Sequence, residues 1–227
     1  MKKIVVLTGA GISAESGLKT FRDSGGLWED HRIEDVATFD GWQRNPQMVL
    51  NFYNERRKQL ILAEPNAAHK ALVKLEEKYD VQIITQNVDD LHERAGSTKV
   101  LHLHGELKKA RSTVDENLVY ELDGWELKMG DKCEKGSQLR PHIVWFGEAV
   151  PLIDQAARLS EKADIFIVIG TSLNVYPAAG LLEYVPEKAS LYLIDPNSKH
   201  LPYVKRLEIF NEMAGIGTPT LVARLLQ

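Results

Sequence analysis

Among 227 residues there is one cysteine, Cys133. A lone thiol excludes an intrachain disulfide and gives no sign of an oxidising compartment. No apolar run approaches the roughly 18–20 residues needed to cross a bilayer. The run after Lys2-Lys3 extends only from Ile4 to Leu7 before turn residues begin, too short for the apolar core of a secretion signal. Neither sign of charge dominates: the formal net charge is −4, which argues against a nucleic-acid or acidic-membrane partner. Internal repeats and low-complexity tracts are also missing. These absences predict a cytoplasmic chain with no nucleic acid and no membrane among its partners. The remaining composition, 44% hydrophobic and 26% charged, suits an ordinary globular protein. Its length allows one sizeable domain, or a large one with a small insert.

Five short runs rich in β-branched residues or leucine end in polar or glycine residues, as buried parallel strands do. They are Ile4–Leu7, Val81–Thr85, Val100–Leu103, Ile165–Ile169 and Leu191–Ile194. Helical patterns over Ala67–Tyr79 and Leu152–Lys162 lie between them. The alternation predicts an α/β fold, a Rossmann-like doubly wound parallel sheet, with ligands at the strand ends. Two stretches interrupt it: the polar, helical residues 23–64 and the charged, turn-containing residues 108–138. The expected division is therefore a Rossmann-like domain of residues 1–22, 65–107 and 139–227, beside a smaller domain of residues 23–64 and 108–138.

Several residues after these strands have the chemistry of a site. Gly9, Gly11 and Ala14 satisfy a dinucleotide pattern, in which Gly9 permits a tight turn and Gly11 lets N–H groups approach a pyrophosphate at the start of a helix. An ordinary glycine turn satisfies it equally. Gln86, Asn87 and Asp89 suit hydrogen bonds to a sugar or amide, or the capping of a helix. His102 and His104 would share one face of a strand, and at its end a neutral imidazole can act as a general base. Gly170-Thr171-Ser172 offers donors to a phosphate or ribose, or a simple turn. Tyr53 and Arg56, three apart on a helix, form either a carboxylate receptor or part of a solvated face with Arg57 and Lys58. Val144–Glu148 reads as a strand whose aromatic residues belong to a core.

GAGISAESG (Gly9–Gly17) followed by TFR (Thr20–Arg22), QNVD (Gln86–Asp89) and LHLHGEL (Leu101–Leu107), in this order, resembles the sirtuins, the NAD-dependent protein deacylases. RPHIVWFGE (Arg140–Glu148) and GTS (Gly170–Ser172) agree with it, so the likeness spans nearly the whole chain. AESG, VWFGE and the Tyr53/Arg56 pair resemble the class III branch, as found in short bacterial members.

The resemblance implies NAD as cofactor and acyl-lysine proteins as substrates. It implies NAD contacts from Gly9, Ala10, Gly11, Ser13, Glu15, Phe21, Arg22, Gln86, Asn87, Asp89, Gly170, Thr171, Ser172, Asp195, Asn197 and Ala214. At Asp195-Pro196-Asn197 the chain departs from the family's usual Asn-x-Glu. His104 is implied as the catalytic base, with Asn87 ordering the reacting groups, and His102 has no implied role. The implied reaction starts when the acyl-lysine oxygen attacks the ribose C1′ and nicotinamide leaves. His104 then activates a ribose hydroxyl, the acyl group migrates, and water releases O-acyl-ADP-ribose and free lysine. Tyr53 and Arg56 are implied receptors for malonyl or succinyl groups. The substrate backbone would pair with Val144–Glu148 by strand addition, with Val144 and Phe146 lining the tunnel and Gly147 among the substrate contacts. Where most sirtuins carry two Cys-x-x-Cys pairs, this chain has Ser112, Asp115, Cys133 and Gly136, so no structural zinc is expected. Tyr120, Leu122 and Trp125 are the expected packing that holds the excursion instead.

These features predict an NAD-dependent desuccinylase and demalonylase with some deacetylase activity. Alternatives are an NAD glycohydrolase or ADP-ribosyltransferase, and a silent NAD-sensing module. A hydride-transferring dehydrogenase fits less well, because no second strand with its acidic residue follows about twenty residues past the glycines.

Overall fold

The structure is a computed structural model that describes residues 1–19, 31–171, 173, 176–198 and 207–227, together with the backbone of residues 27 and 28. Its main sheet has six strands: Lys3–Thr8, Asp80–Thr85, Val100–His102, Ile165–Ile169, Ser190–Ile194 and Leu207–Phe210. All neighbours pair in parallel. Counted along the chain, the spatial order is sixth, fifth, fourth, first, second, third. That is the doubly wound order, which reverses between Lys3–Thr8 and Ile165–Ile169. The five expected strands lie within one residue of their expected bounds. The strand Leu207–Phe210 was not expected, because one glutamate interrupts a run of only four residues.

Alternation along the central strands feeds two cores. Ile4, Val6, Ile165, Ile167 and Ile169 pack against helices Ala67–Leu75 and Ala214–Leu226. Val5, Leu7, Phe166 and Val168 pack on the other face, against helix Ile153–Ser160 and the 3₁₀ segment Ala178–Tyr184. Burial on both faces explains why these strands read as unbroken apolar runs.

A third core gathers Val36, Trp42, Leu50, Tyr53, Leu107, Ala110, Leu127 and Trp145. Helices Ile33–Val36, Phe39–Arg44 and Pro46–Leu62 contribute to it, as does an antiparallel sheet ordered Val119–Glu121, Gly105–Ser112, Leu139–Ile143. The strand therefore lies at Leu139–Ile143 and not at Val144–Glu148, and it pairs with Gly105–Ser112 in the small sheet. Tyr120 and Leu122 pack against this core as expected, and Trp125 lies 3.9 Å beneath the Lys58 ammonium.

The four positions that carry cysteines in most sirtuins lie on two facing turns. Ser112 bonds the Cys133 thiol, and Lys135 pairs with Asp115 at 2.7 Å. Among the described residues no three His, Cys, Asp or Glu side chains group as metal ligands.

Arg57 corrects the solvated-face alternative. It is buried, 1% exposed, and its Nε donates to the Leu107 carbonyl at 2.8 Å. Its Nη1 donates to Asn54 Oδ1 at 2.6 Å and to the Trp125 carbonyl at 3.0 Å. Asn54 in turn accepts the Leu127 N–H and donates to the Leu127 carbonyl. The helix Pro46–Leu62 is thereby tied to the 108–138 excursion by buried polar bonds. Burial lowers the Arg57 pKa to about 10, so it stays charged at neutral pH. Arg57→Ala removes the donor to the Leu107 and Trp125 carbonyls and one of the two bonds to Asn54 Oδ1, and is expected to cost about 3 kcal/mol of stability. Urea denaturation checks this, and an unchanged midpoint would disprove the tie.

Candidate active site

The reversal of strand order puts two glycine loops against each other. Gly9 N–H donates to Ile169 O at 3.0 Å, and Gly11 N–H donates to Gly170 O at 2.8 Å. A Cβ on Gly11 would lie 2.7 Å from Gly170 Cα, and one on Gly9 would lie 2.7 Å from Thr171 Cβ. Glycine is needed here for the approach of backbone to backbone across the switch point. The expected helix after Gly11 is absent: two 3₁₀ turns, Ala10–Ile12 and Ala14–Ser16, follow instead. The Gly11 N–H is itself taken up by Gly170 O, so any N–H that meets a phosphate here comes from its neighbours in the loop.

At the same sheet edge Ser13, Asn87 and Asp89 form one buried cluster. The Ser13 hydroxyl donates to Asp89 Oδ2 at 2.9 Å and accepts from Asn87 Nδ2 at 3.1 Å. Below them Thr85 Oγ1 accepts from Thr8 Oγ1 at 2.8 Å and from the Asn87 N–H at 3.0 Å. Burial raises the Asp89 pKa, against the Ser13 hydroxyl and the Leu91 N–H that stabilise its anion. Asp89 Oδ1 accepts the Leu91 N–H at 3.2 Å, just inside helix Leu91–Ala95, so the capping alternative is realised alongside the polar cluster. Gln86 Nε2 lies 3.4 Å from Thr171 Oγ1, spanning the two loops.

His104 lies in a turn past the end of strand Val100–His102, so it does not share a strand with His102. Its Nδ1 lies 3.0 Å from the Gln86 carbonyl. A carbonyl only accepts, so Nδ1 carries the proton and the neutral ring has its lone pair on Nε2. Burial lowers its pKa, opposed by the Gln86 bond, and the ring is neutral at physiological pH. It can therefore take up a proton at Nε2.

Glu15 and Ala214, far apart in sequence, are brought together. Glu15 Oε2 accepts the Gly215 N–H at 2.6 Å in the first turn of helix Ala214–Leu226, and Ala214 is buried in the sheet's core. Asp195 is buried at the end of strand Ser190–Ile194 and turns the chain by accepting the Asn197 N–H at 2.8 Å, whereas Asn197 is exposed. Phe21, Arg22 and Ser172 lie outside the described residues.

Tyr53 and Arg56 project from helix Pro46–Leu62 towards the third core. Trp145 Nε1 donates to the Tyr53 hydroxyl at 2.9 Å, and burial raises the Tyr53 pKa to about 12. With its oxygen accepting from tryptophan, the phenol keeps its own hydrogen for another acceptor. Arg56 is half-buried, with its guanidinium 5.9 Å from the Phe52 ring centroid and near enough to Tyr53 to favour its anion. In the segment 144–148, Trp145 is buried while Phe146 and Gly147 are exposed. The Val144 N–H donates to His104 O, and the Phe146 N–H donates to Ala37 O, both at 2.9 Å.

The sequence reading missed what holds this segment. Arg140 makes a fork to Glu148 at 2.7 and 3.0 Å and stacks 3.4 Å from the Trp145 ring. Burial opposes the Glu148 charge, yet the Arg140 bonds and the Trp145 N–H hold its pKa below the usual value. Arg140 lies in strand Leu139–Ile143 and Glu148 beyond its end, so the two ion-pair partners share no element whose period could link them.

Comparison with known proteins agrees with this geometry. A family model described as the Sir2 family matches residues 9–177. An NAD-dependent protein deacylase of Bacteroides thetaiotaomicron is 55% identical over 231 residues, covering 100% of this chain and 99% of that protein. Among solved structures, a Sir2 homologue in complex with NAD superposes with a TM-score of 0.89 at 41% identity, covering 99% of this chain and 90% of that one. A Sir2 bound to an acetylated peptide superposes with a TM-score of 0.80 at 32% identity, covering 98% and 91%.

Proposed function

This chain belongs to the Sir2 family, and from that premise we propose that it is an NAD-dependent protein deacylase acting on acyl-lysine side chains. The observation that carries this reading is the polar cluster of Ser13, Asn87 and Asp89 at the switch point, next to a histidine held neutral with its lone pair on Nε2. The donors and acceptors of that cluster, with Gln86 and Thr171 across the cleft, fit a ribose and its amide-bearing ring. Bound NAD would supply an electrophilic ribose carbon with nicotinamide as leaving group, and the hydroxyl that carries the acyl group away. Asn87 and Asp89 orient the sugar, and His104 Nε2 takes the proton of the hydroxyl presented to it. The products are nicotinamide, O-acyl-ADP-ribose and free lysine. Glycine loops 9–11 and 170–171 hold the two halves of the cleft together. The same reading assigns residues 1–22, 65–107 and 139–227 to the NAD-binding domain, and a cytoplasmic location to the chain.

The acyl group is succinyl or malonyl, with acetyl accepted. Supporting this, Arg56 and the protonated Tyr53 phenol stand beside one another with their tails shielded from water, where a charge-assisted fork to a carboxylate gains most. Phe146 and Val144 flank the acyl-lysine, and Gly147 meets the substrate backbone. Arg56→Met is expected to lower kcat/KM for a succinyl-lysine peptide by about 10- to 100-fold, with the acetyl peptide changed little. Equal losses on both peptides would remove the carboxylate receptor. Nicotinamide release at full rate without any peptide would replace the deacylase by an NAD glycohydrolase.

A further inference from the structure

His102 has no part in the reaction described above, yet it is nearly buried, with a side chain 9% exposed. Its Nδ1 lies 3.2 Å from the Asn87 carbonyl, and its Nε2 lies 2.8 Å from Glu93 Oε1. A carbonyl and an ionised carboxylate both accept, so this pair of contacts favours hydrogen on both ring nitrogens and the cationic ring. His104, two residues on, makes the equivalent Nδ1 bond to the Gln86 carbonyl. The two histidines thus grip consecutive carbonyls of one turn, one ring as a cation and the other neutral.

Resting on the deacylase reading, we propose that His102, clamped by Glu93, is a positioning residue that sets Asn87 for the reaction. Asn87 is anchored at three points: its N–H on Thr85 Oγ1, its Nδ2 on Ser13 Oγ, and its carbonyl on His102. The register pairs Thr85 with His102, which brings the ring within reach of the turn that follows Thr85. Removing the carbonyl anchor frees the peptide plane between Asn87 and Val88, and the carboxamide then samples orientations that do not order the reacting groups. The charged groups that act on His102 are Glu93 and Glu106, with Asp89 close enough to feel its charge and Lys109 paired to Glu106. Burial opposes the His102 charge, and the Glu93 bond and the surrounding carboxylates raise its pKa nonetheless. Its cation also favours ionised Asp89.

Two substitutions separate this role from bulk stability. Asparagine in place of His102 puts its Nδ2 where the imidazole Nδ1 lies and keeps the bond to the Asn87 carbonyl. Glutamine reaches Glu93 and leaves that carbonyl alone. With NAD and an acyl-lysine peptide, His102→Gln is expected to lose about tenfold or more in kcat with KM nearly unchanged, and His102→Asn to stay within about threefold. A His102→Gln enzyme as fast as wild type, or equal losses in both variants with a common drop in Tm, would overturn the proposal. Nitrogen-15 NMR of the full chain at neutral pH gives a second readout that needs no turnover. It should show both His102 nitrogens protonated, with that signature lost in Glu93→Gln. A His102 without hydrogen on Nδ1 would overturn the proposal, whereas absence of NAD-dependent deacylation by the wild-type chain would overturn the deacylase reading alone.

Discussion

His104→Ala is expected to lower kcat/KM for deacylation by about 10²- to 10⁴-fold, the usual range for loss of a general base. The fold should tolerate it. His104 lies in a half-exposed turn, and alanine removes the ring's bond to the Gln86 carbonyl while keeping the backbone bond from Val144, so Tm should fall little. Acyl-peptide binding should also persist, because Tyr53 and Arg56 stand on another element. The pH dependence follows from the sign of the shift. Burial lowers the His104 pKa below the ordinary imidazole value, so the neutral base is fully present at physiological pH. Activity is lost only as pH falls through that lowered value, and the acid limb of kcat/KM should lie below the unperturbed 6.5 or so. An acid limb above that value, or an alanine variant that still deacylates at near the wild-type rate, would move the base to another residue.

Much of this site was legible because its residues follow buried parallel strands, and such strands announce themselves as continuous apolar runs. Ile165–Ile169 can be read without any partner, and the residues just past it must lie at the ligand-binding edge. The clustering of Ser13 with Asn87 and Asp89 follows from two strand ends being neighbours. Three features were not legible, each for a physical reason. The strand Leu139–Ile143 contains Pro141, which removes a ladder donor and disguises an edge strand, so the apolar Val144-Trp145-Phe146 drew the strand reading instead. In Asn54-Glu55-Arg56-Arg57-Lys58 local spacing cannot tell which cation is inside; the carbonyls of Leu107 and Trp125 decide it, and they arrive from residues far along the chain. The task of Gly11 is to meet Gly170, a contact between loops that sequence spacing alone cannot show.

That contact leads to a large expected loss of structure, from Gly170→Ala. Gly170 has φ of +63°, and an added Cβ would lie 2.3 Å from Ile12 N and 2.6 Å from the Gly11 carbonyl carbon. Both neighbours are backbone, so no side chain can rotate away. The left-handed conformation costs about 1–2 kcal/mol for alanine, and forced overpacking adds about 1–3 kcal/mol. Relief requires the loop after Lys3–Thr8 to move off the loop after Ile165–Ile169, which breaks the Gly11 N–H bond to Gly170 O and shifts Thr171 away from Gln86. Stability and the cleft should therefore fail together: denaturation should show a loss of about 2–5 kcal/mol, and NAD affinity should weaken in the fraction that remains folded. Gly124→Ala is the matched control, since Gly124 also has positive φ, +88°, but an added Cβ would meet nothing within 4 Å. It should show the conformational cost alone, with NAD binding intact. Equal effects at the two glycines would mean that the left-handed backbone, and not the meeting of the two loops, is what Gly170 provides; a larger loss at Gly170 with weakened NAD binding makes the loop contact the joint on which the cleft is built.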